Sequence, residues 1–242
     1  MRSINTLFAG SLIALAGLAQ STQAAYFSFA SDNDSSSHTW VGFGNKLLDA
    51  DDPTDPQVLQ IDDNNGPLPT INTDTEFEAD FTMAPVQAVN VGGGSVLYVY
   101  RIDGTFSFNV GGNTLLSCSI TNGTLTALGT AAGWSTTATI QANTRDADGA
   151  SVVYNWFGPS MPGYFLQPGS SVGEADAAFT LTALHTLNGA PGVPTNSDHI
   201  VTDAYLAEGS FSGHADWQIP TPGTAALAGM GGLVMLRRRR SN

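Results

Sequence analysis

The chain has 242 residues, long enough for one large domain, and 42% of them are hydrophobic, so general disorder is excluded. Its 27 glycines and its scarcity of Lys, Arg and Glu are typical of an all-β protein. Between Tyr26 and Trp217, three basic residues (Lys46, Arg101 and Arg145) stand against all 21 acidic residues, which excludes nucleic acid and anionic membrane surfaces as partners.

The first segment, "MRSINTLFAGSLIALAGLAQSTQAAYFSF", has the pattern of a secretory signal peptide. Arg2 supplies the positive start, and Leu7–Leu18 forms an apolar core too short for a permanent membrane anchor. Small residues favour cleavage between Ala24 and Ala25, and a cut after Ser21 is the alternative. We therefore expect a signal helix that brings the chain to the secretion machinery and signal peptidase.

Residues 25–219 read as a succession of short strands with alternating, β-branched or aromatic residues. Turn signals separate the strands, and they predict an antiparallel β-sandwich, with a jelly roll as a variant. Gly111-Gly112-Asn113 is interpreted as a turn, and Asn122-Gly123 as a second, hairpin turn. No helix longer than two turns is expected inside this domain.

The acidic stretch that follows the second strand raises the question of calcium. Its weak candidate ligands are Asp51, Asp52, Asp62 and Asp63, because Ca²⁺ prefers clustered oxygen ligands in flexible shells. The spacing does not match an EF-hand loop. We therefore expect no cofactor, with calcium in an irregular loop as the alternative to a solvated acidic loop.

Tryptophan residues occur in strand-like, apolar surroundings, which favours core packing over ligand stacking. The exception is "YNWFGPSMPGYF", an aromatic segment interrupted by Pro and Gly. If it is a loop, it offers a platform for carbohydrate, with Tyr154, Trp156 and Tyr164 as weak candidate ligand residues. Surface polysaccharide is the matching partner.

The residues that could support catalysis are sparse. The four histidines are scattered without metal-binding spacing, and no nucleophile elbow is present. Glu76 and Glu78 share one face of an alternating strand, which leaves glycoside hydrolysis as a minor alternative. The single cysteine, Cys118, lies in an apolar strand-like run and is expected to be buried and inert. We expect no catalytic residues and no enzyme.

The C-terminus reverses the charge of the chain. Pro220-Thr221-Pro222 is followed by an apolar run, Thr224–Leu236, and by four consecutive arginines, Arg237, Arg238, Arg239 and Arg240. As a helix the run spans about 20 Å, short of a hydrocarbon core of about 30 Å. The arginines orient it with the tail in the cytoplasm and the domain outside. An ordinary tail anchor is the alternative to a temporary one.

This order of proline motif, apolar segment and terminal arginines resembles the PEP-CTERM sorting signal of Gram-negative bacteria. Thr221 stands where that family usually has Glu. The resemblance implies a substrate of an exosortase-type membrane protease, which cuts near Pro220–Pro222 and passes the protein to the cell surface or matrix. The central domain resembles no family that we recognise.

The sequence therefore predicts three parts: a signal peptide (1–24), a β-sandwich domain (25–219) and a sorting tail (220–242). We expect an exported, non-enzymatic protein of the cell surface or extracellular matrix, held briefly in the membrane by its tail. A carbohydrate- or calcium-binding module of the same architecture is the alternative, and a secreted polysaccharide hydrolase is a third.

Overall fold

The computed structural model describes residues 23–30, 38–50, 56–63, 68–144, 149–164, 166–169 and 172–217. The predicted signal and tail helices lie outside these residues. Within them, one turn of 3₁₀-helix (Pro162–Tyr164) accompanies strands only, which confirms the all-β class. The strands are β1 Gln23–Ala30, β2 Trp40–Phe43, β3 Lys46–Asp49, β4 Gln57–Asp62, β5 Ile71–Gly92, β6 Ser95–Val110, β7 Asn113–Thr130, β8 Gly133–Asn143, β9 Ser151–Trp156, β10 Val172–Thr186, β11 Val193–Pro194 and β12 Tyr205–Trp217.

All twelve strands belong to one antiparallel sheet. Its main run is β5–β6–β7–β8–β10–β12, and two short pairs lead from β12 back to β5. β1 and β4 make one of these connections, and β2 and β3 make the other. The succession of hydrogen-bonded pairs therefore closes on itself around a single core, which leaves few free strand edges.

The core is built from aromatic rings that alternate along the strands. Phe27 and Phe29 on β1 and Phe106 and Phe108 on β6 are spaced two residues apart, so both members of each pair face inward. Ring centroids lie 5.0 Å apart between Phe106 and Phe179 and 5.1 Å apart between Phe106 and Phe211. The burial of Trp40 and Trp134 agrees with the core role expected for tryptophan outside the Tyr154–Phe165 segment.

The hairpin predicted at Asn122-Gly123 is wrong. β7 runs without a break from Asn113 to Thr130, and Asn122 takes a left-handed φ of 55° inside it. The Asn122 amide donates to Asp103 Oδ1 at 2.7 Å, beside a register shift between β6 and β7. The strand bends here and changes partner, since its first half pairs with β9 and its second half with β8. The turn at Gly111-Gly112 is confirmed.

Two other elements differ from expectation. β5 extends over 22 residues, longer than the short strands that the sequence predicts, because β6 pairs with most of it. β3 was predicted as part of an acidic loop. It forms a hairpin with β2 through Gly44, whose φ of 57° suits a tight turn.

The two ends of the described sheet lie side by side. β1 pairs with β12 from Gln23 opposite Trp217 to Ala30 opposite Ser210. β1 therefore begins where β12 ends.

Candidate functional site

Three neighbouring strands present polar side chains to one side of the sheet and form a groove of about 1080 Å³. Glu78 on β5 lies opposite Ser107 on β6, which in turn lies opposite Ser117 on β7. Asp80 lies opposite Thr105 in the same way. Because side chains alternate along a strand, these residues share the outward face while Ala79 and Phe106 between them point into the core.

The carboxylates of the groove each have a protein partner. The Ser107 hydroxyl donates to Glu78 Oε2 at 3.4 Å, and the Lys46 ammonium donates to Asp80 Oδ1 at 2.6 Å. Asp49 Oδ1 accepts the backbone amide of Ala79 at 2.9 Å. Ala79 lies between the part of β5 that pairs with β3 and the part that pairs with β4. The Asp49 carboxylate therefore accepts the hydrogen bond that a strand carbonyl would otherwise accept from the Ala79 amide. The groove thus presents serine and threonine hydroxyls, which can donate hydrogen bonds, beside carboxylates that are held in place by protein partners.

Phe157 is the exposed aromatic residue of the site. It follows β9 directly, is 54% exposed, and lines both the groove and an adjoining apolar pocket of about 450 Å³. Its amide donates to the carbonyl of Leu115 at 2.9 Å, which fixes the backbone of Phe157 against β7. The main chain of Phe157 is therefore held in place, and its apolar ring is open to solvent.

The three aromatic residues predicted as a ligand platform are buried instead. Tyr154 is 0% exposed, Trp156 is 1% exposed and Tyr164 is 6% exposed. Each polar atom is used internally: the Tyr154 hydroxyl donates to the Asp176 carbonyl, the Trp156 indole to the Pro159 carbonyl, and the Tyr164 hydroxyl to the Pro69 carbonyl. These rings build the scaffold, and a stacking face is offered by Phe157.

The alternation of buried and exposed residues along β9 indicates that Phe157 faces solvent. Val152, Tyr154 and Trp156 are buried, whereas Val153 and Phe157 are exposed. Strict period two therefore separates Phe157 from the two aromatic residues just before it. The sequence prediction treated the aromatic residues of this segment alike and did not consider on which face of the strand each one lies, so it did not single out Phe157.

The predicted calcium ligands divide between described and undescribed residues. Asp51 and Asp52 lie outside the described residues. Asp62 ends β4, and Asp63 Oδ2 accepts the amide of Leu68 at 3.1 Å. Desolvation, together with the nearby charges of Asp63 and Asp62, raises the pKa of Tyr164. In the described part of the chain, no three His, Cys, Asp or Glu side chains are grouped to hold a metal ion.

Of the predicted processing residues, only Ala24 and Ala25 are described. Both lie in β1, where Ala24 pairs with Asp216 and the fully buried Ala25 pairs with Ala215. Pro220, Thr221 and Pro222 lie outside the described residues, as do Arg237, Arg238, Arg239 and Arg240. The described strands and turns contain no helix with the length and hydropathy to span a membrane.

Two of the four histidines, His38 and His214, lie beside carboxylates in the fold. His38 Nδ1 lies 3.0 Å from Oε1 of the buried Glu208, and the His185 ring lies 5.1 Å from the His38 ring. His214 Nε2 lies 3.0 Å from Asp216 Oδ1. None of these residues is among those that line the groove.

Cys118 is buried and free, as expected from its sequence surroundings. Its side chain is 1% exposed on β7. Burial raises the pKa of the Cys118 thiol well above its ordinary value, so the thiol stays protonated and unreactive at neutral pH.

No family model matches the chain, and neither does any curated protein or solved structure at the level that would show a relationship.

Proposed function

We propose that this chain is an exported, non-enzymatic protein of the cell surface or matrix, delivered by its signal peptide and by its PEP-CTERM-like tail. The observation that supports this most directly is the pairing of Gln23 with Trp217. The sheet begins and ends close to the two predicted processing sites, and its first and last strands are neighbours. This arrangement is expected of a folded domain from which one segment is cleaved at each end of the chain.

Processing at these sites leaves the domain intact. Cleavage after Ala24 removes the Gln23 and Ala24 pairs but retains the ladder from Ala25 opposite Ala215 to Ala30 opposite Ser210. It also retains the buried rings of Phe27 and Phe29. We further propose that the closed sheet is a flattened β-sandwich, related to a jelly roll, whose opposed faces meet through these rings. Inter-ring contacts such as Phe29 with Phe108, at 5.6 Å, support two facing layers.

The test is the intact mass of surface protein from a Gram-negative host that carries an exosortase-type protease and expresses the full chain. We expect an N-terminus at Ala25 and loss of Arg237–Arg240. A variant with Pro220 and Pro222 both changed to Ala serves as the control and should remain in the membrane fraction. Surface protein that retains the arginines contradicts the sorting proposal.

We propose, as a second function of the same domain, binding of surface polysaccharide in the groove beside Phe157. The supporting observation is the half-exposed ring next to fixed hydroxyl and carboxylate groups. Sugar rings have apolar C–H faces that pack on aromatic rings, while their hydroxyls need donors and acceptors at the rim. The groove supplies both.

A glycan-binding screen of the purified full chain tests this second function. Phe157→Ala should weaken binding of a selected glycan by about tenfold or more, the loss expected for an aromatic contact worth about 1.4 kcal/mol. Phe43→Ala is the matched control, because Phe43 is 49% exposed at the end of β2. If Phe157→Ala and Phe43→Ala weaken glycan binding equally, the proposal that the groove is the binding site is contradicted. Release of reducing sugar by the wild type would instead favour the hydrolase alternative.

A further inference from the structure

In the described part of the chain, the far end of β5 has a strand neighbour on one side only. β3 pairs with β5 only as far as Thr82, and the Met83 amide makes the last contact on that side, to Asn45. From Ala84 to Gly92, β5 pairs with β6 alone among the described strands. A strand in this position presents unpaired N–H and C=O groups along its outer edge. The last part of this segment, Gln87–Gly92, and its β6 partner, Ser95–Val99, are called the β5–β6 arm.

The outward face of the β5–β6 arm carries a row of apolar side chains. Val89 lies opposite Leu97 on β6, and Leu97 lies opposite Leu128 on β7. Ala88 packs partly against the core, so Val89, one residue further, faces away from the core. Val89 is 42% exposed and Leu128 is 50% exposed. These three side chains form a cross-strand row that begins at the free edge.

The arm is also uncharged in a strongly acidic chain. No Asp, Glu, Lys or Arg occurs from Phe81 to Tyr100, and none occurs from Gly104 to Thr144. Exposed edges in soluble proteins are usually protected by charges, above all by lysine, and this edge has none. Because acidic surfaces of two copies repel each other, copies that approach through the uncharged β5–β6 arm meet less electrostatic repulsion than copies that approach through an acidic surface.

We propose that two copies of this protein pair edge to edge through the β5–β6 arm. The pairing is antiparallel about a twofold axis at Val89, so that each copy contributes the same surface. Val89 then faces the Val89 of the second copy, and the two apolar rows join into one row of six side chains across the combined sheet. Both free edges gain backbone hydrogen bonds.

The contact is short. Register shifts between Pro85 and Gln87 and between Asn90 and Gly92 leave a regular stretch of only a few residues around Val89. Such irregularities bend a strand away from its neighbour. The dimer is therefore expected to dissociate on dilution rather than to be permanent.

The test uses Val89→Cys in the full chain, purified in mild detergent and exposed to a thiol oxidant. Directly opposed Cβ atoms on paired strands lie about 4.5–5.5 Å apart, close enough for a disulfide after a small shift. The native Cys118 is buried and does not compete. Val110→Cys is the matched control, because Val110 is 43% exposed and lies at the other end of β6.

We expect a disulfide-linked dimer on a non-reducing gel for Val89→Cys, at least fivefold more abundant than for Val110→Cys. In a second measurement without cysteine, sedimentation of the wild type should show dimers that increase with concentration. Val89→Lys should remain monomeric with an unchanged strand spectrum. Equal cross-linking of the two cysteine variants, or a wild type that stays monomeric at all concentrations, overturns the proposal.

Discussion

The indole of Trp40 lies over the α-carbon of Gly209, so that a methyl group on residue 209 would overlap the ring nitrogen. Trp40 pairs with Ala207, and Gly209 follows on the same face of β12. The absence of a side chain at Gly209 is what gives the indole its fully buried position. Gly209→Ala should lower the free energy of unfolding by about 1–3 kcal/mol, the usual cost of overpacking. Denaturant titration measures this, with Ser212→Ala on the exposed face of β12 as the control.

The pair formed by His38 and Glu208 predicts strong coupling between two distant segments. Removal of the imidazole by His38→Ala leaves a buried carboxylate without its partner, at a cost of about 1–3 kcal/mol. In Glu208→Gln the side chain keeps its shape and loses its charge. The same His38→Ala change should then cost less in the Glu208→Gln background. A double-mutant cycle measured by chemical unfolding checks this, and strictly additive effects would show that the contact contributes nothing.

The left-handed conformation of Asn122 predicts an ordered set of substitutions. Gly adopts a positive φ without strain, whereas Ala at this position costs about 1–2 kcal/mol. Asn122→Gly should therefore be nearly as stable as the wild type and Asn122→Ala clearly less so, as measured by thermal unfolding. If Asn122 lay instead in a loose loop, both variants would melt at the wild-type temperature.

Buried tyrosines predict a loss of stability at alkaline pH. Burial raises the pKa of Tyr100 to about 12, and it also raises the pKa values of Tyr154 and Tyr205. Because the folded pKa values exceed those of the unfolded chain, the stabilising effect is complete below about pH 10 and is lost as the pH rises above it. Each such tyrosine should contribute a loss of about 1.4 kcal/mol per pH unit in that range.

Tyr205→Phe tests the alkaline prediction. Among the described residues, the hydrogen-bond partner of the Tyr205 hydroxyl is Met83 Sδ, a weak acceptor at 4.0 Å, so removal of the hydroxyl should alter stability little at pH 7. Unfolding free energies measured between pH 8 and pH 12 should fall less steeply for Tyr205→Phe than for the wild type. Tyr26→Phe, in which the altered ring is only half-buried, is the control. Parallel curves for all three proteins would contradict the assignment.

The strands themselves could be predicted from the sequence, because alternation fixes which residues face the core. Phe106 and Phe108, for example, sit in a run whose pattern indicates a strand without further information. The partners of the strands could not be predicted this way. Asn122-Gly123 is a hairpin signal in isolation, but here Asp103, nineteen positions earlier, binds the Asn122 amide while β7 continues. Whether Asn122-Gly123 forms a hairpin turn therefore depends on which distant strands are available to pair with β7.

The groove was only partly predictable for a related reason. Glu78 was noted for its place on an alternating strand, yet its relation to Ser107 and Ser117 required the register of three strands. Asp49 was part of a supposed loop, although its carboxylate replaces a strand partner for Ala79. Sequence patterns indicate the face of a residue, whereas a site is defined by neighbours across the sheet.

The length of β5 has a consequence for a dimer formed at Val89. β5 starts at Ile71, where it pairs with β4, and Val89 lies about 60 Å of extended strand further on. Antiparallel pairing at Val89 would therefore place the Ile71 residues of the two copies at opposite ends of the joined β5 strands, far from the contact between the copies.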